Sequence, residues 1–293
     1  MHIFGRPFHP KAFTSLIRMA WRSLWGDFSS ERLQFTSLCA NPEFLDRMRT
    51  YLSDVPQASV VDHRVTLVPW RDVRAEFASR LTGRGLELGA LHLPMTMPPG
   101  ASVRYVDRMS RADLRREYPS LRTIDLVETD IIADAETLAT LPDASEDFII
   151  ASHLFEHLRN PIGSLLAWAR VLRPGGLLYL VLPDKRATFD AHRVRTTLEH
   201  LILDFESPSA ERDFEHYVDY ARFVHHKQGR EALDEARKLH DVGYSIHYHV
   251  YMPEDICHLV EWVSANVLPL DLVEGPLMAE GTMEFNVLVR KRP

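Results

Sequence analysis

Three acidic residues close short apolar runs: Glu87 in Gly85-Leu86-Glu87-Leu88-Gly89, Asp107 after Val103-Arg104-Tyr105-Val106, and Asp130 after Leu126-Val127-Glu128-Thr129. A carboxylate two residues before a strand-ending Gly89 waits beside backbone that a ligand can approach closely, because glycine carries no Cβ. An acid in the place of Asp107 can accept both hydroxyls of a ribose, and one in the place of Asp130 can meet an adenine amino group. Any one of them alone reads as a solvated strand end. Three at successive strand ends read as a nucleoside site. A second set suits proton transfer: His153 follows the run Phe148–Ala151, with Glu156 and His157 close behind, and histidine titrates near neutral pH. Asp184 directly follows the run Leu177–Leu182 and leads into Lys185, Arg186, Asp190, Arg193 and His200. Cations here could grip a phosphate or carboxylate on a substrate, or form an exposed charged turn. His247 and His249 point to the same side of an extended segment, so they could hold a metal. No acid-rich cluster accompanies them, so substrate contact or packing is favoured over a metal.

These residues need a frame. From residue 85 onward, short apolar runs alternate with polar or helical stretches: Leu86–Leu88, Val103–Val106, Ile124–Val127, Phe148–Ala151 and Leu177–Leu182. Between the last two, Asn160 as cap and Pro161 at the first helical position open a helix that carries Leu165, Leu166, Trp168, Ala169 and Leu172. Alternating strands and helices predict a parallel, doubly wound α/β sheet with its ligands at the carboxyl ends of the strands. Residues 185–250 interrupt the alternation with charged, histidine-rich, helical sequence broken at Ser207-Pro208-Ser209, a candidate lid over the ligand edge. Tyr217, Tyr220, Phe223, Tyr244, Tyr248 and Tyr251 either stack on a substrate or form this insertion's own core. A helix near Pro253-Glu254-Asp255, a strand at Val267–Val273 and an antiparallel last strand at Met283–Arg290 follow, with Gly275, Pro276 and Gly281 expected in the turn. Residues 1–82 read as a mostly helical N-terminal segment, and 83–293 as the domain that carries the site. One helix is expected from Phe13 to Leu24 and another after Asn41-Pro42-Glu43.

Composition narrows the function. The chain has 293 residues, 45% hydrophobic and 26% charged, with 41 acids against 34 Lys and Arg and a net charge of −7. That balance argues against general nucleic-acid binding, which needs a basic footprint over the phosphates. Two cysteines cannot make a disulfide framework, and the opening MHIFGRPFHP lacks the apolar stretch of a signal peptide. A cytoplasmic protein is expected. The first helix has bases at Arg6, Lys11, Arg18 and Arg22 and tryptophans at 21 and 25. It is compatible with a membrane surface, but its apolar face is better suited to packing on the domain or on a second subunit, which would make a homodimer. Only 13 residues separate Gly89 from Val103, and they include Pro94, Pro98 and Pro99, so no helix can form in the first crossover. A dinucleotide rests its pyrophosphate on that helix. A dinucleotide cofactor is therefore disfavoured, whereas a cofactor without phosphates does not need the helix.

Glu87-Leu88-Gly89, Asp107, Asp130, DFIIASHLFEHLRNP at 147–161 and VLRPGGLLYLVLPD at 171–184 resemble the class I S-adenosylmethionine-dependent methyltransferases. Within that class the chain is most similar to bacterial methyltransferase-domain proteins of polysaccharide and glycoside biosynthesis, through ELGALH-x-P, VRYVDR and VLPDKR-x-TFD. The resemblance implies a Rossmann-like sheet of seven strands, mostly parallel, and S-adenosylmethionine as cofactor. By position, Glu87 and Gly89 would flank its methionine part, with Ala90 and His92 near the amino-acid end. Asp107 would hold the ribose, and Asp130 with the backbone of Ile131 the adenine. The usual glycine-rich loop is incomplete here. The implied reaction is O-methylation of a sugar hydroxyl on a glycoside, oligosaccharide or glycosylated metabolite, with His153 and Asp184 as catalytic candidates. Lys185, Arg186, Asp190, His200, His247 and His249 would then face the substrate. A nonsugar acceptor, or a cofactor-binding module without catalysis, is the alternative.

Overall fold

The computed structural model describes residues 66–293 together with the dipeptides 2–3 and 6–7. The helices expected at 13–24 and after Asn41 lie outside the described residues. A short antiparallel pair, β1 (His2–Ile3) and β2 (Arg6–Pro7), stands apart from the main sheet.

The main sheet is built from β3 (Thr66–Val68), β4 (Gly83–Leu88), β5 (Ala101–Asp107), β6 (Ile131–Ile132), β7 (Glu146–Ser152), β8 (Leu172–Pro183), β9 (Leu270–Ala279) and β10 (Glu284–Lys291). Their spatial order is β3-β9-β10-β8-β7-β4-β5-β6. Among the described residues of this sheet, only β10 runs against its neighbours. Seven strands were expected. The eighth, β3, comes from the stretch read as helical, and it pairs parallel to β9 at the sheet edge. From β4 the chain builds outward through β5 and β6, then returns to β7 on β4's other side. The crevice between the carboxyl ends of β4 and β7 is therefore the topological switch point, where ligands of open α/β sheets bind.

Period-two alternation explains why these strands are central. In β7, Phe148 and Ile150 enter one core with Phe77, Tyr179 and Val181, while Ile149 and Ala151 enter the other with Leu86, Trp168 and Leu180. Both faces are covered, so the strands read as continuous apolar runs. Gly85 is required where β4 meets β7: a Cβ there would lie 2.3 Å from the Phe148 ring and 2.4 Å from the Phe148 carbonyl oxygen.

The helices are α1 (Val73–Ala78), α2 (Arg111–Glu117), α3 (Pro161–Val171), α4 (Leu198–Glu206), α5 (Ala210–Phe223), α6 (Gly229–Asp241) and α7 (Pro253–Asn266). Asn160 caps α3 by accepting a hydrogen bond from the Gly163 amide at 2.8 Å, and Trp168 anchors the helix by donating to the Ala135 carbonyl. No helix forms between β4 and β5, as the prolines require. Helices α4 to α6 are the insertion after β8, with α4 and α5 parted at Ser207-Pro208-Ser209. Tyr217, Tyr220, Ala221, Ala236, Ile246 and Tyr248 pack together as its core, and Tyr251 joins the main core. Four of the six aromatic side chains considered for stacking are therefore structural. Near the C-terminus, Gly275 and Pro276 lie inside β9, not in the turn, because β9 continues to Ala279. Gly275 has φ +87° and its absent Cβ leaves room for the Asn286 carbonyl of β10.

Candidate active site

Glu87 is the floor of the crevice. It sits one residue before the end of β4, 1% exposed, and both carboxylate oxygens accept from the Met95 amide at 2.9 and 3.0 Å. Burial pushes the Glu87 carboxyl up to about 7, against the opposing pull of Met95 and Arg74. The loop that replaces the missing helix is thus folded back onto Glu87. Gly89 turns it at φ 65° and donates to the Val106 carbonyl; Ala90 and His92 follow at the crevice rim, half-buried.

Asp107 ends β5, half-buried, and burial raises its carboxyl despite hydrogen bonds from the Arg108 and Met109 amides. Asp130 is placed differently from expectation. Residues Ile124–Val127 form no strand; the third strand is β6, which Asp130 precedes. Its carboxylate accepts from the Tyr105 amide at 2.8 Å, and its own amide donates to the Tyr105 carbonyl. Asp130 is therefore tied to the body of β5. Because Asp107 pairs with Ile132, the acid that passes the carboxyl end of β6 is Asp134, exposed and two residues beyond it. The apolar triplet Ile131-Ile132-Ala133 just before Asp134 was the signal available in the sequence.

At the end of β7, His153 adopts a left-handed backbone with φ 51°, pinned by its amide donating to the Val181 carbonyl. A non-glycine residue held there is a strained position of the kind that clusters at functional sites. Its Nε2 lies 2.8 Å from Glu284 Oε2 at the start of β10, and its Nδ1 3.7 Å from Glu156 Oε1. Glu284 is gripped on its other side by Arg74 of α1, Nε to Oε1 at 2.6 Å and Nη2 to Oε2 at 2.7 Å. Burial pushes the Glu284 carboxyl up, but Arg74 and then His153 pull it far below the usual carboxylate range. Burial lowers His153, yet the hydrogen bond and charge of Glu284 lift it above the ordinary histidine value. Local sequence reading could not find Arg74 and Glu284, which meet across 210 positions.

Around His153 the site is polar. Burial pushes up the Glu156 carboxyl, and neither of its oxygens has a hydrogen-bond partner. Beside it, His157 contacts the Ile246 carbonyl through Nδ1 at 2.8 Å. Burial and then His247 push His157 down to about 3, so its ring is neutral.

The remaining expected contacts are spent elsewhere. Asp184 caps the turn Lys185–Ala187 through the Arg186 amide, and both its oxygens accept from the Arg186 guanidinium. This acid is a local anchor for Arg186. Lys185 donates to the Ala191 carbonyl at 2.9 Å. Asp190 holds Arg193 at 2.9 Å and His247 at 2.6 Å inside the insertion. His247 and His249 do not share a ligand site. His247 stacks edge-on against His157 at 4.6 Å, while His249 joins His200, Asp204 and His216. Their segment is irregular, so strand alternation does not govern it.

The donor set fits S-adenosylmethionine. Carboxylates at the ends of β4 and β5 and beyond β6 match a cationic methionine end, a ribose diol and an adenine amino group, and no helix is present for a pyrophosphate. Residues 85–180 match the family model described as "Methyltransferase domain". Among solved structures, an S-adenosylmethionine-dependent methyltransferase from Aquifex aeolicus is 22% identical, over 39% of this chain and 63% of that one, at a TM-score of 0.28. A Rhodobacter sphaeroides protein described as a zinc-dependent alcohol dehydrogenase is 13% identical over 77% and 92%, with TM-score 0.44. A SAM-dependent methyltransferase from Thermotoga maritima is 13% identical over 97% and 94%, with TM-score 0.38. Likenesses this distant carry no argument about substrate. No curated protein matches. Among the described residues, no helix is long and apolar enough to cross a membrane. Residues 85–180 thus match a methyltransferase-domain model, and that family implies S-adenosylmethionine as the cofactor.

Proposed function

We propose that the protein transfers a methyl group to a hydroxyl of a sugar-bearing small molecule or oligosaccharide. The observation that supports this reading is the Arg74–Glu284–His153 chain, in which a carboxylate orients a histidine at the carboxyl end of β7. Glu87, Gly89, Ala90 and His92 would hold the methionine part of the cofactor, Asp107 the ribose, and Asp134, in place of Asp130, the adenine. When bound, S-adenosylmethionine supplies an electrophilic methyl group. The residues then have two tasks. Positioning is the larger, since alignment of two bound reactants contributes most of the rate in a displacement of this kind. The second is proton removal. In the tautomer that donates Nε2–H to Glu284, His153 carries its lone pair on Nδ1, free to take the hydroxyl proton. Glu284 at 2.8 Å and Glu156 at 3.7 Å then stabilise the imidazolium, as a buried carboxylate does for the histidine of a hydrolase triad. Arg74 fixes the Glu284 rotamer and so acts as a positioning residue. Neutral His157 and Glu156, whose oxygens accept no hydrogen bond, favour a polyhydroxylated acceptor, which can satisfy several buried polar groups at once. The insertion 185–250 serves as the lid of the 83–293 domain, opening for exchange and excluding water during transfer.

The test incubates the protein with S-adenosylmethionine and a panel of glycosides, amines and phenols, followed by mass spectrometry and NMR of the product. A new methoxy signal on a sugar ring is the expected outcome. Methylation confined to amines or carbon centres would refute the acceptor assignment.

A further inference from the structure

Inside the insertion, four side chains from three separate segments converge. His200 and Asp204 stand one turn apart on α4, His216 comes from α5, and His249 from the irregular segment that leads into α7. Asp204 Oδ2 lies 3.0 Å from His200 Nε2, 3.6 Å from His216 Nε2 and 3.7 Å from His249 Nε2. The candidate ligand atoms of all four residues lie within 4.8 Å of one another. Asp204, His216 and His249 are buried. His200 Nε2 and Asp204 Oδ2 meet as an ion pair without hydrogen-bond geometry, and neither has a hydrogen-bond partner elsewhere. Buried polar atoms are almost always hydrogen-bonded, and two adjacent atoms without such a bond, aimed at one point, suit an ion held between them.

The atoms around that point suit a divalent ion. Zinc takes four ligands tetrahedrally with bonds of about 2.0–2.2 Å to imidazole nitrogen and carboxylate oxygen, which sets neighbouring ligand atoms about 3.3 Å apart. The distances from Asp204 bracket that value. Three imidazoles favour zinc over the oxygen-seeking magnesium or calcium. Two of the outer contacts are those of a ligated site, whereas His249 Nε2 also lies 3.3 Å from the Arg159 carbonyl, a contact the ion would displace. Asp204 Oδ1 accepts from Arg212 Nε at 2.8 Å, and His216 Nδ1 meets the Tyr248 carbonyl at 3.0 Å, so each turns its remaining atom inward. His200 keeps 39% side-chain exposure while its Nε2 is buried, so the site lies beneath the surface of α4.

We propose that His200, Asp204, His216 and His249 bind one zinc ion in a closed structural site that clips helices α4 and α5 to the segment carrying His249. That segment also borders the active site, because the His249 amide approaches the Glu156 carbonyl at 3.3 Å. The ion thereby fixes how the insertion is seated over the sheet edge. It takes no part in methyl transfer, and the proposal does not depend on the acceptor.

Elemental analysis of the full-length protein, freed of any affinity tag, tests this directly. One zinc per chain is expected, and its loss in His216→Ala and Asp204→Asn. His157→Ala, altering the neighbouring Glu156–His157–His247 group, should retain the ion. Should the first two variants fail to fold, wild-type protein stripped by chelator and reloaded with Co2+ gives the reading: a visible ligand-field band of tetrahedral intensity and a restored melting temperature. Metal-free protein that gives no such band and no thermal shift with Co2+ overturns the proposal. So does metal that survives His216→Ala and disappears with His157→Ala.

Discussion

Glu87→Gln should make the protein more stable at neutral and alkaline pH while leaving it unchanged in mild acid. Burial raises the Glu87 carboxyl from 4.5 to about 7, against the Met95 amide that donates to it and the charge of Arg74. The folded chain therefore holds this proton more tightly than the unfolded chain does. Below 4.5 both states are protonated and the group costs nothing. As pH rises from 4.5 to about 7 the unfolded state ionises first, and stability falls until the folded group ionises too. The difference of about 2.5 units corresponds to roughly 3 kcal/mol at 1.36 kcal/mol per unit. Glutamine cannot ionise and keeps one oxygen to accept from Met95, so it escapes the loss. Urea denaturation of both proteins across pH 4.5–8 measures the effect as a difference curve, which removes the titration of every other group. The variant should gain about 2–3 kcal/mol by pH 8. A difference independent of pH would refute the burial argument, since it would mean that Glu87 titrates alike in both states.

Asp107→Ala should weaken S-adenosylhomocysteine binding by about 1.5–3 kcal/mol in calorimetry, the scale of hydrogen bonds to a charged group; unchanged affinity would remove Asp107 from the ribose. His153→Ala should lower kcat by about 10²–10⁴ with cofactor affinity intact, because a general base acts in the transition state. The wild-type rate should rise with pH to an inflection above the ordinary histidine value, and Glu284→Gln should move that inflection to lower pH by removing the charge that raises His153. Gly85→Ala should destabilise the fold by about 1–3 kcal/mol, through overlap with Phe148, read as a lower denaturant midpoint at unchanged slope.

The sheet's centre was legible because its signals are local. Leu86–Leu88, Phe148–Ala151 and Leu177–Leu182 are apolar on both faces, and Asn160-Pro161 announces a helix start chemically. The proline-filled first crossover was legible for the same reason. Strand β6 was not. It has two residues, exists only by pairing with the end of β5, and lies beyond a longer apolar run at 124–127 that never joins the sheet. The longer run points to Asp130 as the strand-end acid, whereas the acid beyond the paired residues of β6 is Asp134. Asp184 shows a different limit: the strand end was read correctly, but the carboxylate is consumed two residues later by Arg186. Position at an edge says that a side chain can reach a ligand, not that it is free to.

The part of the site furthest from legibility is the part on which the proposed chemistry depends. His153, Glu284 and Arg74 come from the end of β7, the start of β10 and helix α1. Each of the last two is an unremarkable charged residue in its own stretch of sequence. Glu284 is 8% exposed and His153 about a third exposed at its side chain. A carboxylate that deep is costly unless paired, and Arg74 supplies the pairing bidentately, leaving Glu284 charged at all working pH. That charge lifts His153 above the ordinary histidine value. A single antiparallel strand makes this possible: because β10 runs against the rest, its first residue lies at the carboxyl edge, where the parallel strands end. The reversal of the last strand is therefore what delivers Glu284 to the switch point.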